Sequence, residues 1–318
     1  MWLATKFAAV LAINACEVTG PWFTDVQVKD MNFWSRLLER VVLKYQARLR
    51  QLGVDVCAVG YTSPAPELRD LTEEFFARTS PCSAIGWNLE GQLSYLDSVF
   101  PNYVGEDQFC SNPGLSPVDA AILHCMIRHH KPRKIIEVGS GYSTQFCARA
   151  CLRNAAEGAA VELLAIEPHP SETLRRGFPG LTRLEACRAQ DLPVSFYFDC
   201  NLLFIDSSHI VKAGSDVTFL VLEVLPMLRP GTLVHFHDIL LPSEYWPEWL
   251  RDGRSYWNEQ YLVHAFLAFN ATYDVQWASR YMHVHYADAI KTVFPFFDVA
   301  KHRISSLWIR RCATDTDG

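Results

Sequence analysis

An α/β fold with a mostly parallel sheet is predicted, on three observations. From Lys131 onward, short apolar runs alternate with segments of helical spacing. Those runs are apolar throughout rather than at every second residue, as in strands covered on both faces. A glycine-bearing turn, Gly139-Ser140-Gly141, follows the first run and opens the next helical segment.

Taken in order, the elements begin with an irregular start. The apolar run Phe7 to Ala15 reads as a buried strand or helix, being short and thinly charged for an export signal. Asn32 to Leu52 carries Phe33, Leu37, Leu38, Val41, Val42, Tyr45, Leu49 and Leu52 at helical spacing, with Gly53 as a stop. Pro64 to Arg78 and Asn88 to Phe100 read as further helices. Pro101 to Leu115 is a long Pro/Gly/Asn-rich loop, of the length that often serves function. Ser116 caps the next helix, with Pro117 in its first turn and Asp119 favouring its dipole. Strands follow at Lys134 to Val138, Val161 to Ile166, Leu184 to Cys187, Asn201 to Ile205 and Thr232 to Phe236. Helices are expected at Thr144 to Ala155, Pro170 to Arg176 and Ala213 to Leu228. The chain closes with a helix over Trp257 to Asn270 and strands at Tyr273 to Trp277 and Ser306 to Ile309. This divides the chain into an N-terminal accessory helical region, 1–84, and an α/β domain, 85–318.

Composition narrows the function. The 318 residues are 49% hydrophobic and 20% charged, ample for a full core. A formal net charge of −6 shows no electrostatic footprint for nucleic acid. No apolar stretch is long enough to span a membrane. Ten cysteines lie scattered with no C-x-x-C pair, and Cys147 and Cys151 share one helix face, so reduced thiols in a cytoplasmic protein are expected.

The turn after the first strand reads Glu137-Val138-Gly139-Ser140-Gly141-Tyr142-Ser143-Thr144. An acid just before the first glycine repels a dinucleotide pyrophosphate and favours a cationic ligand. Ser143 stands where a dinucleotide fingerprint tolerates little side chain. Glu167 closes the second strand, where a carboxylate meets ribose hydroxyls, and Gln190-Asp191 follow the third, beside a base. Two further strand ends are polar: Asp206-Ser207-Ser208-His209 and His235-Phe236-His237-Asp238. In such sheets, ligands lie outside the carboxyl ends of the strands, so these clusters should share a rim.

The run Glu137 to Gly141 with Glu167, Asp191 and the Asp206 strand resembles class I S-adenosylmethionine-dependent methyltransferases. The DSSH and HFHD motifs, with Trp257 to Leu262, resemble a bacterial methyltransferase-like subgroup. The resemblance implies a Rossmann-like, seven-stranded, mostly parallel sheet with an antiparallel last strand. It implies S-adenosyl-L-methionine held by Glu137, Gly139, Ser140, Gly141, Ser143, Glu167, Asp191 and Asp206. Ser143 departs from the family's frequent third glycine. Asp206 and Asp238 also match the magnesium-binding acids of some O-methyltransferases, although His237 replaces one acid of that pattern. The catalytic candidates are Asp206, His209, His237 and Asp238: either imidazole as base, or a divalent cation on the two acids. The aromatic segment Tyr245 to Trp257 suits a flat acceptor.

The expected activity is O-methylation of a small-molecule or sugar-like acceptor, with no nucleic acid or membrane partner and a homodimer left open. Two other readings stay open: a metal-dependent oxygenase or hydrolase on this fold, and a non-catalytic cofactor-binding partner protein.

Overall fold

The computed structural model describes residues 44, 45, 48–52, 63, 65–109, 114–253 and 255–313. The chain forms two compact units, Met1–Pro64 and Ala65–Gly318. In the first, residues 44, 45 and 48–51 are helical. The rest of the expected helix 32–52, and the apolar run 7–15, lie outside the described residues.

The second unit is built on one seven-stranded sheet: β1 Lys134–Val138, β2 Glu162–Ile166, β3 Arg183–Glu185, β4 Leu202–Ile205, β5 Leu233–Phe236, β6 Tyr273–Ala278 and β7 Leu307–Arg311. The order is β3-β2-β1-β4-β5-β7-β6. β1 to β5 pair in parallel, and β7 runs antiparallel between β5 and β6. This is the Rossmann-like sheet with its reversed last strand that the motifs implied. No helix among the described residues is long and apolar enough to cross a membrane.

The strands are apolar on both faces because both faces are covered. Ile135, Leu163 and Phe204 enter one core cluster, and their neighbours Ile136, Leu164 and Leu203 enter the other. The first cluster includes α3 (Pro117–His130) and α4 (Tyr142–Ala156), and the second the segment from Val217 to Leu228. α3 is buried nearly all round, from Pro117 to Arg128. Ahead of it stand α1 (Glu73–Phe76) and α2 (Leu89–Ser94).

Several helices differ from the sequence expectation for local reasons. Residues 64–78 hold a 3-10 turn, Leu68–Asp70, and the single turn α1, which Thr72 starts by accepting the Phe75 N–H. The helix expected to run unbroken from 88 to 100 is α2 followed by a π-helical turn, Tyr95–Val99. The segment Pro170 to Arg176 is helical only over α5 (Glu172–Arg176). Ser215 caps α6 (Asp216–Phe219), which passes into a π turn and then a 3-10 turn at Leu225–Met227. Pro226 has no N–H to continue an α-helical ladder there. α7 covers Glu259–Leu267, and α8, Ser279–Val293, was not foreseen. Its backbone breaks from helical geometry at Tyr286.

Candidate active site

Strand register builds the rim. Gly139 N–H donates to Ile166 O, Asp206 N–H to Val138 O, and His237 N–H to Ile205 O, each at 2.9 Å. The ends of β2, β1, β4 and β5 therefore finish level, and Glu167, Gly139, Asp206 and His237 stand along one edge. Gly139 must be glycine: its φ is +79, and a Cβ there would lie 1.6 Å from the Asp206 carbonyl oxygen.

Among the described residues, four cavities open along this rim. One of about 420 Å³ runs from Gly139 and Glu167 past Arg188 and Gln190 to Asp206. One of about 280 Å³ lies over Gly139 to Ser143, with Glu167 and Asp206. A third, about 410 Å³, adjoins Ser140, Gly141, Tyr142 and Glu167. The fourth, about 480 Å³, holds Asp206, His209, His237 and Asp238 beneath Trp246, Trp249 and Trp257. Asp206 faces this cleft as well as the two smaller cavities beside Gly139.

The cofactor candidates separate on this geometry. Gly139, Ser140, Gly141 and Glu167 line cavities as expected. Ser143 reaches the 280 Å³ cavity, but its hydroxyl donates to Glu137 Oε1 at 2.6 Å. Glu137 itself is fully buried behind the turn and lines none of the four cavities. Burial pushes its carboxyl up to about 8, against the pull of the Ser143 and Thr144 hydroxyls. Its side chain points into the core, where the Ser143 hydroxyl ties it to the glycine turn. Asp191 lines none of the four cavities. Arg188 engages its carboxylate at 2.6 Å and holds it below the ordinary range, and Arg188 and Gln190 line the 420 Å³ cavity.

The four catalytic candidates do come together. His209 Nε2 lies 3.3 Å from Asp206 Oδ1 and 3.7 Å from Asp238 Oδ2. His237 Nδ1 lies 3.2 Å from Asp238 Oδ1 and 3.7 Å from Asp206 Oδ1. His209 and Asp238 both adopt left-handed backbone, each with φ +58, a conformation costly for residues other than glycine. Asn258 and Glu259 N–H groups hold the His209 carbonyl at 3.0 and 3.2 Å. Burial disfavours the charged imidazole of His209, but the Asp206 and Glu259 carboxylates outweigh it and hold the group well above its usual value. Burial likewise opposes charge on His237, and Asp238 and Asp206 override it to bring the group to about 10. Burial raises the Asp238 carboxyl, and the neighbouring imidazoles more than reverse this.

Glu259 proves central to the cluster. It is buried at the first turn of α7 and takes the His209 Nδ1 proton bond at 2.8 Å and the Ser207 hydroxyl at 3.2 Å. Asp216 receives Ser208 N–H at 2.9 Å, so it anchors the Asp206 loop besides starting α6. His235, two residues before His237, is structural: it is buried and stacks on Trp308 at 4.3 Å.

Sequence reading missed the support beneath Asp238. The Ser305 hydroxyl donates to Asp238 Oδ1 at 2.9 Å, and Ser305 N–H donates to Asp119 Oδ2 at 3.0 Å. Asp119 also receives Ser116, Ser279 and Ser306 hydroxyls. The only signal for Asp119 was its place in the first turn of α3, and nothing local marked Ser305.

Residues 136–239 match the family model described as a methyltransferase domain. An uncharacterized protein of Archaeoglobus fulgidus is 26% identical over 156 residues, 43% of this chain and 70% of that one. Two solved structures are similar with a TM-score of 0.37 each: an O-methyltransferase from Bacillus cereus in complex with SAH and an SAH-bound methyltransferase of Podospora anserina. The first is 13% identical and covers 71% of this chain and 98% of its own; the second is 15% identical and covers 81% and 100%. Residues 136–239 thus carry the pattern of a methyltransferase domain, over about a third of the chain.

Proposed function

We propose that this enzyme O-methylates a small, ring-bearing hydroxyl compound, such as a sugar-like acceptor. The observation that carries the reading is the position of Asp206, which faces both the cavities over the glycine turn and the tryptophan-lined cleft. The first set suits the cofactor. The backbone turn at Gly139 gives close approach, and Glu167 lies against three of the cavities, where a carboxylate accepts ribose hydroxyls. The second suits the acceptor. Trp246 and Trp249 stand 4.6 Å apart at 83°, and Trp257 packs 4.6 Å from Trp249, giving flat apolar walls around a polar floor.

Bound S-adenosylmethionine supplies an electrophilic methyl group, and a divalent cation on Asp206 and Asp238 would lower the pKa of an acceptor hydroxyl. The donor set fits such a cation: Asp206, His209 and Asp238 offer ligand atoms all within 4.8 Å of one another. The chain's own contribution is placement. The tryptophans hold the ring, and Asp206 fixes the hydroxyl at the boundary of the two compartments, with His209 and His237 beside it. Alignment of this kind supplies much of the rate in a direct displacement.

Calorimetric titration with S-adenosylhomocysteine tests the assignment. The wild-type chain is expected to bind it, and Glu167→Ala to weaken binding about tenfold or more, the loss of a charged hydrogen-bond acceptor. Unchanged affinity in the variant, or a preference for NAD, contradicts the reading.

A further inference from the structure

The cluster on the rim has an unequal chemistry. Two of its members are carboxylates, which any hard divalent ion accepts, and the third is an imidazole oriented by a carboxylate on its far nitrogen. Glu259, 1% exposed, receives the Nδ1–H of His209 at 2.8 Å. The His209 Nε2 faces Asp206 Oδ1 and Asp238 Oδ2, at 3.3 and 3.7 Å, where a cation would take the place of the Nε2 proton. A carboxylate fixing the far nitrogen of a ligating histidine is the recurrent outer support of metal-binding imidazoles. The backbone conforms to the same end, since His209 is kept in left-handed geometry by two N–H groups of the α7 start.

A second observation points to a missing ligand. His237 is 5% exposed and lies against the cleft. Its Nδ1 pairs with Asp238 Oδ1 at 3.2 Å, and its Nε2 has no hydrogen-bond partner among the described residues. Spacing also fits. Adjacent ligands on a six-coordinate ion with bonds of about 2.1 Å sit about 3 Å apart, near the 3.3 and 3.7 Å that separate His209 Nε2 from the two carboxylates.

We propose that Asp206, His209 and Asp238 bind a first-row transition ion, such as Mn²⁺ or Fe²⁺, in preference to Mg²⁺, and that Glu259 is the positioning residue that sets this choice. The proposal rests on the cation reading given above and sharpens it. Imidazole nitrogen suits ions later in the Irving–Williams order, whereas Mg²⁺ favours oxygen ligands and retained water. An all-carboxylate site would show no comparable bias.

The test uses the full chain, stripped of metal, with Mn²⁺ and Mg²⁺ as probes. Calorimetric competition is expected to give Mn²⁺ at least about a tenfold advantage. Pulsed EPR of the Mn²⁺-loaded wild type should show nitrogen coupling that is lost in His209→Gln and kept in His237→Asn. Glu259→Gln should weaken Mn²⁺ by about 10- to 100-fold while moving Mg²⁺ less. Bound Mn²⁺ without nitrogen coupling in the wild type, or coupling lost in His237→Asn rather than His209→Gln, overturns this proposal and leaves the cation reading standing. No binding of either ion to the wild type overturns both. The wild-type spectrum needs no variant, so the proposal stays open to refutation even if a substitution fails to fold.

Discussion

Replacing Glu137 by glutamine should make the protein more stable at alkaline pH and leave it nearly unchanged in acid. The carboxyl is fully buried, Ser143 donates to one oxygen, and the other has no hydrogen-bond partner among the described residues. Burial raises it from 4.5 to about 8. Below 4.5 the group is protonated in folded and unfolded chains alike, and stability is at its fullest. Between 4.5 and 8 the unfolded chain ionises first, so stability falls as pH rises, and above 8 the whole penalty is present. At about 1.4 kcal/mol per pH unit the penalty reaches roughly 5 kcal/mol, and relaxation around the charge reduces the expected gain to about 2–5 kcal/mol. Glutamine keeps the shape and the acceptor for Ser143 but never ionises. Urea unfolding at pH 5 and pH 9 measures the difference, which should lie within about 1 kcal/mol at pH 5. An equal gain at both pH values, or a loss at pH 9, refutes the argument that Glu137 is a buried brace.

Two further substitutions probe the scaffold. His235→Phe removes an imidazole with no hydrogen bond that stacks between Phe204 and Trp308. Burial holds His235 well below its usual value, so its contribution is intact above pH 6.5 and lost as pH falls; the variant should unfold at lower pH than wild type, and an unchanged acid midpoint contradicts this. Asp119→Ala strips the shared acceptor from Ser279, Ser305 and Ser306 and should cost about 3–5 kcal/mol by denaturant unfolding. A loss below about 1 kcal/mol would mean that the serines find other partners.

The sheet was legible because its strands are short apolar runs buried on both faces, as at Leu202–Ile205. β3 was read less well, as Leu184 to Cys187 rather than Arg183–Glu185, because it is a three-residue edge strand with charged ends. α8 escaped notice because its His, Tyr and Asp content leaves it far less apolar on average than α7, and its backbone breaks at Tyr286. The polar rim could be inferred from the rule that strand ends carry ligands, which correctly brought Asp206, His209, His237 and Asp238 together. The pairing of Asp191 with Arg188, three residues earlier, was open to a local reading that was not made. At Glu137 a sequence shows that an acid is present but not which way it points, and its burial came only with the fold. Ser305 and Asp238 meet across 67 residues, and Ser305 and Asp119 across 186, so no local pattern marks that support.

The central claim is that Asp206 divides a cofactor compartment from an acceptor compartment. A crystal structure of the full chain with S-adenosylhomocysteine tests it most directly. The account predicts the ligand over the Gly139 turn, its ribose on Glu167, and its sulfur beside Asp206 facing the cleft of Trp246, Trp249 and Trp257. A ligand seated elsewhere, or one whose sulfur points away from that cleft, would contradict it.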